Sequence, residues 1–166
     1  MEKEKMTKLE KQWVLYDVGN SAFVMLVSTI RRAAMTEKEK MLAGMVYEAV
    51  LDEDLKEDRL KCKDLCFAAN QLPPSKIKEQ SEIFVSLFAK VGEGFYITTP
   101  FWCDYGYNIE IGKNFYSNHN CVILDCAKVT FGDNVFVGPN CCFATAEHPL
   151  DETERNRGLE TARPIQ

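Results

Sequence analysis

Ile109–Asp125 reads IEIGKNFYSNHNCVILD, and Val129–Thr145 reads VTFGDNVFVGPNCCFAT. The two stretches align without a gap at an offset of twenty residues. Gly112 falls on Gly132, Asn114 on Asn134, Asn120 on Asn140 and Cys121 on Cys141. A short internal period marks a solenoid, in which each turn stacks on the last. Gly106 and Gly112 stand six apart, as do Gly132 and Gly138, and twenty is three sixes plus two. Six residues make one short strand and its corner, so three such units close a triangular coil. The two extra residues require a bulge or small loop. Asn114 and Asn134 suit left-handed backbone at corners, where most side chains clash. The pattern is that of a hexapeptide β-helix. A β-sandwich would show longer alternating runs, with turns roughly every 8–12 residues.

Upstream of Gly92 the period changes. Thr36 and Glu39 form a T-x-x-E capping box, and Met41, Leu42, Met45 and Val46 follow at helical spacing. Asp52–Asp54 interrupts, and Asp54 is placed to cap a second helix with Leu55, Cys62, Leu65, Cys66 and Ala69 on one face. Asn70 and Pro73–Pro74 stop it. A third helix fits Ser75–Ala89, with Ile77, Phe84, Leu87 and Phe88 inward. The expected organisation is an apolar leader at 1–34, a helical arm at 35–90 and a β-helix at 91–166.

The leader reads differently from the rest. Trp13–Ile30, WVLYDVGNSAFVMLVSTI, is mostly apolar and precedes Arg31 and Arg32. Its length is near the minimum of about 18 residues for a membrane span, but Asp17 and Asn20 are costly in hydrocarbon without partners. The stretch resembles the first transmembrane helix of a family of major-facilitator transporters. It is read as a fused segment with no part in the chemistry, and its contact with a membrane is left open.

At 166 residues the chain holds one domain with an appendage, and 46% hydrophobic residues suffice for a core. A net charge of −5, with no aromatic-interleaved basic cluster, excludes a nucleic-acid binder. Seven cysteines, an odd number with no Cys-x-x-Cys pair, read as reduced core thiols of a cytoplasmic protein. No metal is assigned. With two histidines in the chain, a three-histidine zinc site would need several subunits to pool them. His148 follows the second repeat directly, which makes it the candidate catalytic base.

Three motifs carry a resemblance: PFWCDYGYNIEIG at Pro100–Gly112, NFYSNHNCVILD at Asn114–Asp125 and TAEHPLDETERNRGLE at Thr145–Glu160. With MTEKEKMLAG at Met35–Gly44, they make residues 35–166 similar to the maltose/galactoside O-acetyltransferase family of hexapeptide acyltransferases. The resemblance implies a left-handed parallel β-helix, a homotrimer with active sites between subunits, acetyl-CoA as acyl donor and a sugar hydroxyl as acceptor. It implies that His148 is the general base. Asp104, Tyr116, Asn118 and Asp125 match positions lining the acceptor pocket, and Glu48 lies near an acidic arm position. His119 departs from the family pattern and is read as a packing or cleft-wall residue. Family members continue past the position of Gln166 with further coils that supply most acetyl-CoA contacts, so no cofactor-binding residues are assigned. The chain reads as a C-terminally truncated member. The alternative reading is a catalytically inactive fragment or assembly module.

Overall fold

The computed structural model describes residues 35–166. Trp13–Ile30, with its resemblance to a transporter helix, lies outside the described residues. Among these, no helix is long and apolar enough to cross a membrane.

Helix α1 (Glu37–Leu42) ends as a Schellman motif. Gly44, at φ 66°, donates to the Met41 carbonyl, and the Met45 amide reaches back to Lys40. The expected helical run through Met45 and Val46 therefore stops short, and strand β1 (Tyr47–Glu48) follows. Asp52, not Asp54, caps helix α2 (Glu53–Gln71): its carboxylate accepts the Leu55 amide at 2.8 Å. Leu55, Cys62, Cys66 and Ala69 are buried as the periodicity predicts, whereas Leu65 points to solvent. Helix α3 (Ile77–Leu87) buries Phe84 and Leu87, with Phe88 buried just beyond, and leaves Ile77 exposed. Leu65 sits at the edge of its helix's apolar stripe, and Ile77 is the first residue of α3.

From Lys90 the chain winds through nine short strands: β2 (Lys90–Val91), β3 (Tyr96–Ile97), β4 (Phe101–Cys103), β5 (Ile109–Ile111), β6 (Tyr116–Ser117), β7 (Cys121–Leu124), β8 (Val129–Phe131), β9 (Phe136–Val137) and β10 (Cys142–Ala144). They form three parallel sheets, β2-β5-β8, β3-β6-β9 and β4-β7-β10. Lys90 pairs with Glu110, Tyr96 with Tyr116 and Phe101 with Cys121, so each residue lies beside the one twenty later. Visiting three sheets in turn, at constant register, gives a three-sided coil. The pairing is parallel throughout these sheets, which removes the sandwich. Asn114, Asn120, Asn134 and Asn140 take left-handed φ of 54–60° at the corners. Their amides form ladders, Asn114 to Asn134 at 2.9 Å and Asn120 to Asn140 at 3.0 Å. Gly112 is required for a different reason: a Cβ there would lie 2.5 Å from the Gly132 carbonyl.

The extra residues of each turn fall at the third corner, 104–108. There the chain swings wide around one buried carboxylate. Asp125 accepts the amides of Asp104 (3.1 Å) and Tyr105 (2.8 Å) on one oxygen and of Asn108 (3.3 Å) on the other. Burial raises its carboxyl to about 7, against the pull of those amides.

Inside the coil, inward residues stack in columns such as Ile109 on Val129 and Cys103 on Ile123. Phe84 and Leu87 from α3 and Phe88 just after it, with Cys62, Cys66 and Ala69 from α2, plug the first turn and share its core. Asn70 fixes the contact by bonding both the amide and the carbonyl of Phe101 at 2.9 Å. After β10 the chain leaves the coil through β11 (Ala146–Glu147), α4 (Glu152–Asn156) and β12 (Leu159–Ala162). β12 lies between β1 and β11, antiparallel to both.

Candidate active site

The hairpin of β11 and β12 pairs Ala146 with Ala162 and Glu147 with Thr161. One step further, that register sets His148 opposite Glu160. Nδ1 of His148 lies 3.8 Å from Oε1 of Glu160. This is ion-pair range and longer than a hydrogen bond. The imidazole is 61% exposed, while the glutamate is 16% exposed. Behind Glu160 stands Tyr47 of β1, whose hydroxyl donates to Oε2 at 2.7 Å. Tyr47 is buried, and burial pushes its hydroxyl far above the ordinary tyrosine range. It is therefore a fixed proton donor, which holds one glutamate oxygen and leaves the other for the histidine.

Cys126 and Asp104 extend the group. Cys126 shares a buried cluster with Tyr47, and its thiol donates to Oδ2 of Asp104 across 3.9 Å. Burial pushes the Cys126 thiol up to about 12 and also raises the Asp104 carboxyl, against Lys63 and Arg59. Such a thiol is no nucleophile at neutral pH. Arg59 of α2 closes the back wall by donating to the Tyr105 hydroxyl at 2.5 Å and the Ala49 carbonyl at 2.6 Å.

Of the residues singled out by sequence, His148 and Asp104 thus share one neighbourhood. Asp125 lies beneath it as a fully buried support of the corner, its carboxylate committed to backbone amides. Tyr116 and Asn118 lie elsewhere on the chain. Tyr116 stacks between Tyr96 (6.2 Å) and Phe136 (6.0 Å) on the outer face of β3-β6-β9. Asn118 turns the following corner, its side-chain oxygen accepting the His119 amide at 2.8 Å. His119 is exposed, with Nδ1 2.9 Å from the Thr99 carbonyl. Glu48 pairs with Leu159 and gives its amide to Glu37; its neighbour Tyr47 is the arm residue facing Glu160. Glu147 turns from the histidine to Arg163, at 3.2 Å. Tyr47, Cys126 and Glu160 were not singled out, since long-range pairing alone brings them together.

Comparison with known proteins places this arrangement. Residues 40–92 match the maltose acetyltransferase hexapeptide capping motif, which is the stretch that plugs the coil. A Staphylococcus haemolyticus protein named as an acetyltransferase is 49% identical over 131 residues, covering 79% of this chain and 68% of the relative. The chain belongs to the maltose/galactoside O-acetyltransferase family. Among solved structures, a maltose O-acetyltransferase from Clostridium difficile 630 superposes with a TM-score of 0.77 at 43% identity, over 79% of this chain and 70% of that one. A galactoside acetyltransferase in complex with coenzyme A gives 0.75 at 36% identity, over 80% and 66%. The chain thus spans about two thirds of the length of these acetyltransferases. Its parallel sheets and helical plug are those of the hexapeptide-repeat acetyltransferase fold.

Proposed function

We propose that this protein takes part in acetyl transfer from acetyl-CoA to a sugar hydroxyl, with His148 as general base. The observation that carries the proposal is the Tyr47–Glu160–His148 series. A carboxylate facing Nδ1 favours the tautomer with its proton on that nitrogen, so Nε2 is the proton acceptor. A sugar hydroxyl is too weak an acid to ionise at neutral pH. As its oxygen bonds to the thioester carbonyl carbon, Nε2 takes the hydroxyl proton. The carbon–sulfur bond then breaks, and the proton passes to the departing coenzyme A sulfur. Glu160 steadies the transient imidazolium, and Tyr47 keeps Glu160 in place. The coenzyme A complex of the galactoside relative supports the donor; the maltose and galactoside relatives support the acceptor class.

The coil is a left-handed β-helix in this reading, and it works as a homotrimer. The support is the division of the site. Asp104 lies at the third corner and His148 on the β11–β12 hairpin, whereas Tyr116 and Asn118 lie on the β6 face and the corner after it. A second copy set against the first brings the two groups to one cleft. The Tyr96–Tyr116–Phe136 stack, exposed at Tyr96 and Phe136, is an aromatic surface suited to such a contact. Seven free cysteines and a coenzyme A donor fit a cytoplasmic setting.

The test is steady-state acetylation of a panel of sugars by the purified protein and its His148→Ala variant. General-base loss should lower kcat by about 10²–10⁴-fold with the melting temperature unchanged. An unaltered kcat in the variant would remove His148 from the chemistry.

A further inference from the structure

Three cysteines outside the candidate active site converge where the arm meets the coil. Cys62 and Cys66 leave the same face of α2, one turn apart, and Cys103 faces them from β4. Sγ of Cys103 lies 3.4 Å from that of Cys62 and 3.7 Å from that of Cys66. All three sulfurs fall within 4.8 Å of one another, and all three residues are buried. Packing of small apolar side chains does not require sulfurs to face one another. A shared ligand does.

We propose that this cluster is a closed three-sulfur site for trivalent arsenic. Geometry and charge both select that ligand. With sulfur about 2.3 Å from a common centre, planar three-coordination would separate the sulfurs by roughly 4.0 Å. The two closest separations are shorter, which fits a pyramid with the centre above the sulfur plane. Zinc takes a fourth ligand, and among the described residues no fourth metal-binding side chain joins the group. Charge decides further. Three thiolates leave a net charge of −2 around monovalent copper and −1 around zinc, but none around trivalent arsenic. Among the described residues, the hydrogen bonds of these thiols run among themselves and to the Cys103 carbonyl, with no cationic side chain among them to balance a net negative charge. Buried net charge is costly without a partner, so the neutral complex is favoured. Capture of arsenous acid needs no free thiolate overall. Three As–O bonds break and three As–S bonds form. The three thiol protons leave with the hydroxides as three waters. Arsenic stays trivalent and no electron moves. The product staples α2 to β4 and so stabilises the joint of arm and coil.

The experiment uses the full chain, reduced with a phosphine, with arsenite added both to the native protein and during refolding, so that burial does not bar entry. Intact mass spectrometry should show one adduct per chain equal to arsenic less three hydrogens, and the melting temperature should rise. Cys66→Ala and Cys62→Ala keep a good helix former on α2, and each should lose that adduct; Cys103→Ser should lose it too. A Cys141→Ser/Cys142→Ser double variant should retain it. The proposal is overturned by an adduct that keeps a hydroxyl, which is two-thiol capture. It is equally overturned by a three-sulfur adduct persisting in Cys66→Ala and Cys62→Ala, by no adduct in either preparation, or by zinc uptake at these cysteines without arsenite uptake.

Discussion

Replacing Asp125 tests how the third corner is held. Its carboxylate accepts three backbone amides, at 3.1, 2.8 and 3.3 Å, from a fully buried position. Asp125→Ala leaves those amides without their acceptor. Each buried unpaired group costs about 1–3 kcal/mol, and sharing among neighbours brings the total to about 3–6 kcal/mol. For a chain of this size that is a fall in melting temperature of roughly 6–24 °C. Asp125→Asn keeps an oxygen for Asp104 and Tyr105 but turns an NH2 toward the Asn108 amide, and should cost about 1–3 kcal/mol. The pH dependence separates charge from shape. Burial raises the folded carboxyl from 3.8 to about 7, so between those values the folded chain binds more protons than the unfolded one. The stability from this group is therefore fully present below the unfolded value and is lost as pH rises through about 7. The loss is on the order of 4 kcal/mol, at 1.36 kcal/mol per pH unit. Urea unfolding at pH 5, 6, 7 and 8 captures the part of it above pH 5, two units below the folded value, or about 2.7 kcal/mol. The native chain should weaken by about that much across this range, and Asp125→Asn should weaken less by the same amount. Equal slopes for the two proteins, or an Asp125→Ala chain as stable as the parent, would refute the reasoning.

Tyr47→Phe removes the donor that holds Glu160. It should cost about 1 kcal/mol in stability, and kcat should fall with a shifted pH–rate profile while the sugar KM changes little. An unshifted profile would leave Tyr47 a packing residue. Gly112→Ala sets a methyl 2.5 Å from the next turn's backbone, which cannot yield as a side chain would. A loss of about 1–3 kcal/mol is expected by chemical denaturation, and an unchanged midpoint would mean that the turns are not in close register.

The coil was legible because its signals are local. A twenty-residue register is visible as glycine beneath glycine and asparagine beneath asparagine, and corners that demand left-handed backbone restrict the residue type strongly. Helix faces were legible in their centres and blurred at their margins, where Leu65 and Ile77 are free to point outward. The site was legible in part. His148 stands out through its motif, whereas Tyr47 and Glu160 meet across 113 residues, through a β1–β12 pairing that no local pattern encodes. Asp125 illustrates the opposite difficulty. An aspartate at a solenoid corner looks the same in sequence whether it faces a ligand or the backbone, and burial with three amides distinguishes the two.

Subunit complementation tests most directly whether the site is divided between protomers. Asn118→Ala and His148→Ala chains, each inactive alone, would be unfolded together, refolded as a mixture and assayed for acetyl transfer. If the site draws Asn118 and His148 from different copies, random mixing restores roughly one quarter of the intact sites. Activity that stays at the level of the separate variants would contradict a shared cleft and place both residues in one protomer's site.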